Sequence, residues 1–342
     1  MRYPVVIRPL LLFAWITFSA AFGLHAQTPA PTPAALPKPL PQALAKDVWW
    51  IPGSLLPNRQ PDGNTVVFQG PSGLVVMDTG RHVWQSRAIL DFAKTQNAPV
   101  VAIVNSHWHL DHVSGNPALK ASYPNAKVYA SDAIEEALTG FLRSSMESTA
   151  EYLKTAGLPS ETAEDLRLDI ATITNGNALK PDVVVKTSGP MALAGRRMQV
   201  QLALNGPTAG DVWLYDPLTR IVAVGDLVTL PVPFLDTACV AGWRTALKEI
   251  AALPFQTLVP GHGNPMSRQE FETYRAAFES FVGCARSDKD KNICATQWRQ
   301  DVSSLIATSG MNPQQGQGMA TYYVADVLRA NGGNSKSCKT PG

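Results

Sequence analysis

Apolar and polar positions alternate along this chain in two rhythms, and their order predicts a mixed α/β protein. Thr65-Val66-Val67-Phe68 and Leu74-Val75-Val76-Met77 are short apolar runs. The turn residues Gln69-Gly70-Pro71-Ser72-Gly73 join them as a β-hairpin, which ends in Asp78-Thr79-Gly80. Residues 83–94 carry apolar side chains at helical spacing. Val100-Val101-Ala102-Ile103-Val104 reads as a buried strand running straight into Asn105-Ser106-His107. A strand follows at 127–130, then a helical stretch from Asp132 to about Thr174, broken at Gly157-Leu158-Pro159. Strands return at 183–185, 198–204, 212–215 and 221–224. A helix over 243–253 and a strand over 257–259 come next, and Ser267-x-x-Glu270 is a capping box opening a helix through Phe281. The second half loosely echoes the first, as two similar halves packed together would.

Composition narrows the class. With 342 residues, 45% of them hydrophobic and 16% charged, the chain buries a sizeable core, and wholesale disorder is excluded. Its 29 basic and 27 acidic side chains argue against an electrostatically driven nucleic-acid binder. No run of membrane-spanning length follows the N-terminus. The N-terminus itself has a positive segment with Arg2 and Arg8, an apolar stretch over 10–22, and small residues before Ala26. That pattern reads as a secretory signal peptide over 1–26, with an uncleaved membrane anchor as the alternative, and the expected location is the periplasm or outside the cell. Residues 27–47 read as a Pro-rich linker, with folded structure beginning near Asp47-Val48-Trp49-Trp50. In an exported protein the four cysteines suggest two disulfides. Cys284–Cys294 is the most economical pair, leaving Cys239–Cys338 to tie the tail to the body, although four cysteines allow three pairings. A disulfide-bearing extension then occupies 284–342, after a main domain over 48–283.

The chemistry sits at strand ends. Three of the six histidines fall in His107-Trp108-His109-Leu110-Asp111-His112, directly after a buried strand. Imidazoles at i and i+2, followed by a carboxylate and a third imidazole, converge around a cation. Such borderline N and O ligands suit zinc, then iron or manganese. Asp226 follows the 221–224 strand behind Gly225, and His262 follows the 257–259 strand in Pro260-Gly261-His262-Gly263. The shared placement puts all six residues on one edge of a sheet sandwich.

The HxHxDH loop, Asp78-Thr79-Gly80, Gly225-Asp226 and Pro260-Gly261-His262-Gly263, in this order, resemble the metallo-β-lactamase superfamily of hydrolases from about Trp49 to Phe281. The resemblance implies a four-layer αββα sandwich with the metal site between loops at one edge. It assigns His107 and His109 to a first metal site, Asp111, His112 and His262 to a second, and Asp226 to a bridging or second-site role. One residue departs from the family pattern. Within Asn205-Gly206-Pro207-Thr208-Ala209-Gly210-Asp211, Pro207 stands where the family places its third first-site histidine. Proline offers no ligand atom, so the first site keeps two imidazoles against the usual three protein ligands of a catalytic zinc.

The expectation is therefore one Zn2+ at the complete second site, and two if another group replaces the lost ligand. His82 is the remaining candidate imidazole, with Asn205 and Asp211 weaker ones. The implied activity is hydrolysis of an ester, lactone, thioester or lactam bond in a small-molecule substrate through a metal-bound hydroxide. Asp111 would orient the water and His107 would act as general base if its site is empty. Two rivals remain: a periplasmic binding or accessory protein with a partly degenerate site, and an iron-dependent oxidoreductase of the same superfamily. The helical stretch over 133–174 is either a lid or an insertion covering the sheet. Trp108 either touches substrate or packs beneath its loop.

Overall fold

The short apolar runs pair into two sheets stacked face to face. The computed structural model describes residues 36–307, 311, 314 and 316–338. The expected signal peptide, and residues 27–35 of the Pro-rich tract, lie outside these. The first sheet runs in chain order: β1 (Gln42–Ala45), β2 (Val48–Ile51), β3 (Thr65–Gly70), β4 (Gly73–Met77), β5 (Val100–Val104), β6 (Lys127–Ala130) and β7 (Val183–Val184). The second comprises β8 (Gly189–Leu193), β9 (Arg196–Leu204), β10 (Gly210–Asp216), β11 (Ile221–Ala223), β12 (Thr257–Val259) and β13 (Met266–Ser267), ordered β13-β12-β11-β10-β9-β8. The strands β4 to β7 are parallel neighbours, as are β11 and β12.

The period-2 alternation decides which face each residue joins. In β4, Val75 and Met77 face the second sheet while Leu74 and Val76 face the helices. In β10, Val212 and Leu214 enter the same inter-sheet core, and Trp213 and Tyr215 turn outward. The outer face of the first sheet packs on α1 (Val83–Thr95) and α3 (Asn116–Ser122) through Ile89, Phe92 and Leu119. The outer face of the second packs on α7 (Val240–Ala252) and α8 (Arg268–Ala285) through Trp243, Phe271 and Phe278. Helix, sheet, sheet, helix is the expected four-layer sandwich. At α8 the Ser267 hydroxyl accepts from the Glu270 N–H and the Glu270 carboxylate accepts from the Ser267 N–H, completing the capping box.

Several boundaries differ from the sequence reading. The first strand starts at Gln42, ahead of the expected Asp47, because β1 pairs antiparallel with β2 across a two-residue turn. The helical stretch divides into α4 (Ala133–Thr139), α5 (Phe141–Tyr152) and α6 (Ser160–Thr174), with Gly140 making an additional break. The described part of the region after residue 283 packs against the rest of the chain. Its helices α9 (Lys291–Asp301), α10 (Ser303–Ala307) and α11 (Gln317–Tyr322) bury Trp298, Ile306 and Ala320 in the core that covers the second sheet, as does Tyr323 just beyond. Of the three pairings that four cysteines allow, the structure has Cys284–Cys294, the economical short loop, and Cys239–Cys338. Among the described residues no helix is long and apolar enough to cross a membrane.

Candidate metal centre

All six expected ligands meet at one edge of the sandwich, each carried by a strand end or the turn after it. The β5 strand leads into His107 and His109, and the one-turn helix α2 (Leu110–Val113) presents Asp111 and His112. The β11 strand leads to Asp226, and β12 to His262. Close approach of these turns demands glycine. A Cβ on Gly225, whose φ is 52°, would lie 2.4 Å from the Ser106 Cβ, and one on Gly261 would lie 2.0 Å from Asp226 Oδ1.

The ligand atoms fall into two groups, His107, His109 and Asp226 in one and Asp111, His112 and His262 in the other. Asp226 faces both: its Oδ1 lies 3.3 Å from His112 Nε2 and 3.6 Å from His262 Nε2, and its Oδ2 lies 3.8 Å from His107 Nε2. Asp111 Oδ2 lies 3.0 Å from His262 Nε2 and 3.6 Å from His112 Nε2. Asp226 thus stands between the two groups.

The remaining ring nitrogens are held from behind. His112 Nδ1 lies 2.8 Å from Asp78 Oδ2 and donates to it. The Ser106 hydroxyl donates to Asp78 Oδ2 at 2.7 Å, so it can only accept from His107 Nδ1, at 2.9 Å. Asp78 also accepts from the Ser106 N–H at 2.7 Å, and it adopts φ 61°, a left-handed conformation that Asp tolerates. With Nδ1 committed, Nε2 of His107 and of His112 face the shared space. Both are buried without a hydrogen-bond partner, as is Asp226 Oδ1. Buried polar atoms of this kind are costly unless something binds them, and a divalent cation fits this donor set.

Charges agree with that fit. Burial would raise the carboxyls of Asp111 and Asp226, yet His112 and His262 hold both well below the usual carboxylate range. Burial would lower His112 and His262, but the two carboxylates raise both. His107 is pushed well below its ordinary value and His109 down to about 4, mainly by burial, so both are neutral donors. A cation here replaces protons on His112 and His262.

Of the weaker candidates, His82 is corrected most clearly. It is neither a substitute ligand nor an exposed helix-start histidine. Its Nδ1 lies 2.8 Å from Asp62 Oδ2, its Nε2 lies 3.2 Å from Asp165 Oδ1, and its ring stacks on Trp84 at 3.9 Å. Asp211 caps its own loop, accepting from the Thr208 N–H and hydroxyl, and burial pushes its carboxyl up to about 7. Asn205 holds the turn with φ 55° and is half-buried. Trp108 packs beneath the loop, buried against Phe141 with ring centroids 5.5 Å apart. The helical insertion covers the metal loop, with Ile134, Leu142 and Ile173 packed on Trp108 and Val113. Two partly buried ion pairs fasten it: Arg59 with Asp165, and Arg81 with Asp169.

Other supporting residues were invisible in the sequence. The Asn64 side chain donates to the Pro260 and Gly263 carbonyls at 3.0 and 2.7 Å and pins the His262 turn. The Gly63 N–H donates to the Asp111 carbonyl at 2.9 Å. Arg81 Nη2 lies 3.8 Å from Asp111 Oδ1. Thr237 reaches His109 across 128 positions of sequence. None sits in a motif; Thr237, next to Asp236 in an otherwise apolar loop, carries the one sequence signal among them.

Known proteins resemble the chain on the same frame. A family model for the metallo-beta-lactamase superfamily matches residues 59–262. A linear primary-alkylsulfatase of Pseudomonas sp. is 25% identical over 60% of this chain and 42% of its own length. The chain therefore spans less than half of that curated relative. Among solved structures, a stereoselective inverting sec-alkylsulfatase from Pseudomonas sp. has a TM-score of 0.52 at 20% identity, covering 78% of this chain and 45% of that one. A metallo-beta-lactamase from Pontibacter korlensis has a TM-score of 0.50 at 22% identity, covering 70% of this chain and 98% of that one.

Proposed function

As this chain belongs to the metallo-beta-lactamase superfamily, we propose that it is a zinc-dependent hydrolase cleaving an ester, lactone, thioester or lactam bond of a small molecule. The observation that carries the reading is the convergence of buried, unpartnered His107 Nε2, His112 Nε2 and Asp226 Oδ1 on one space. The alkylsulfatase relative adds sulfate esters to the bonds worth testing.

A bound divalent cation lowers the pKa of water to about 7 and polarises the oxygen of the scissile group. The chain's own residues supply the rest. Asp111 and Asp226 aim carboxylate oxygens into the shared space and orient the attacking water. Arg81, close to Asp111 Oδ1, keeps that carboxylate in place. His107, neutral and with Nδ1 already donating to Ser106, takes up a proton at Nε2 where it is not itself a ligand. The complete second group, with Asp226, binds the tighter cation, and the group beside Pro207 the weaker.

Metal analysis of protein purified without added zinc, followed by assay on lactams, lactones, thioesters, phosphoesters and alkyl sulfates, tests this reading. Asp111→Ala and His262→Ala should each lose both metal and hydrolysis. A metal-loaded protein that hydrolyses none of the panel would favour an accessory role, and iron with redox turnover would favour an oxidoreductase. The protein is further proposed to work outside the cytoplasm, where disulfides persist. N-terminal sequencing of periplasmic material should find a mature chain beginning near Gln27, and recovery of Met1 in the cytoplasm would oppose that.

A further inference from the structure

Pro207 removes a ligand from the first group, yet its carbonyl still reaches the site. The Thr237 hydroxyl donates to the Pro207 carbonyl at 2.8 Å. Its oxygen lies 3.2 Å from His109 Nε2. A threonine hydroxyl has one proton, and the carbonyl can only accept. That proton is therefore committed, and toward His109 the hydroxyl can only accept. His109 must carry its proton on Nε2, which leaves the Nδ1 lone pair free for a cation.

We propose that Thr237 is a positioning residue that fixes His109 in its Nδ1-ligating tautomer and so makes His107, His109 and Asp226 a usable metal site without a third imidazole. The proposal rests on the metal-centre reading above. Three observations support it. Thr237 and Pro207 are both buried, so water does not compete for the chain of hydrogen bonds. The loop that carries Thr237 is fastened on both sides: Trp298 Nε1 donates to the Pro231 carbonyl at 2.8 Å, and Cys239 is bonded to Cys338. The Phe234 ring of the same loop stands edge-on to His109, with centroids 4.9 Å apart, and blocks rotation of the imidazole. The arrangement parallels His107, whose proton is placed by the Ser106 hydroxyl.

The test compares Thr237→Val, which keeps shape but cannot accept, with Thr237→Ser, which restores the hydroxyl. Zinc binding is followed by equilibrium dialysis, and the His109 tautomer by nitrogen-15 NMR of the full, disulfide-bonded chain. Wild type should bind a second, weaker zinc and show His109 protonated at Nε2. In Thr237→Val that weaker affinity should fall by about 10- to 100-fold, as when the outer partner of a metal-bound histidine is lost, with the tighter site unchanged. Thr237→Ser should recover most of it. Unchanged weak-site affinity in Thr237→Val, a His109 protonated at Nδ1 in wild type, or one zinc per wild-type chain at saturation would each overturn the proposal. Loss of the tighter zinc in wild type would instead overturn the metal-dependent reading. A fall in both affinities in Thr237→Val, not rescued by Ser, would show a structural role only.

Discussion

The two ligand groups share one carboxylate and are built by different means. The group of Asp111, His112 and His262 is complete, and its His112 is backed by the carboxylate of Asp78. The group of His107 and His109 lacks an imidazole at Pro207, borrows Asp226, and is backed by neutral hydroxyls at Ser106 and Thr237. A carboxylate behind an imidazole raises its basicity more than a hydroxyl does. Under the proposed reading, the outer partners and the ligand count both favour the complete group. Both groups rise from the ends of β4 and β5, and each then leans on a further part of the chain. The complete one adds β12, which leads to His262, and the loop before β3. The incomplete one depends on residues 229–239, and through them on the C-terminal helices.

The largest effect should come from Asp226→Ala, since that carboxylate faces both groups. Metal affinity should drop at both by more than the roughly 100-fold that an outer partner costs, and hydrolysis should vanish. Zinc titration that leaves one group intact would break the idea that Asp226 is shared. Next, Cys338→Ser frees the loop end at Cys239 and should lower stability by about 2–5 kcal/mol in denaturant unfolding. The weaker zinc should suffer more than the tighter one, because Cys239 lies close after Thr237. Equal losses would deny the loop its selective role. Asp78→Asn reverses the bias. An amide turns a donor toward the Ser106 or His112 donors, and the tighter zinc should weaken by about 10- to 100-fold.

The smallest effect concerns pH and the clamp that holds the helical insertion. Burial would lower His82, but Asp165 and Asp62 raise it above its ordinary 6.5. Burial works against both carboxylates, but pairing with His82 helps hold each below its ordinary 3.8. The imidazolium contribution is complete below pH 6.5 and fades as pH rises through the raised value. The carboxylate contribution is present above 3.8 and fades as pH falls through the lowered values. In zinc-saturated protein, where His112 and His262 do not titrate freely, Tm should decline by about 2–4 °C as His82 loses its proton. His82→Gln should flatten that decline. A slope unchanged in the variant would place the pH dependence elsewhere.

Much of the molecule was legible in its residues because strand periodicity and strand-end ligands are local. The alternation in β4 and β10 fixes which side chains enter the inter-sheet core, and the glycines before Asp226 and His262 mark sharp turns. The capping box at Ser267 was readable for the same reason. The short β1 and β13 escaped because two- to four-residue strands exist only by pairing with a neighbour. The C-terminal helices escaped as parts of the core because their apolar faces are completed by α8 and the second sheet.

The sequence by itself determined the types of the candidate ligands, their order and the absence of an imidazole at Pro207. Each is a property of chemical identity or short spacing. The tertiary structure alone decided that Asp226 is shared, that His82 belongs to a clamp with Asp62 and Asp165, and that Thr237 stands behind His109. Those depend on distances between side chains up to 128 positions apart, and such contacts are set by how the layers pack and not by any local period.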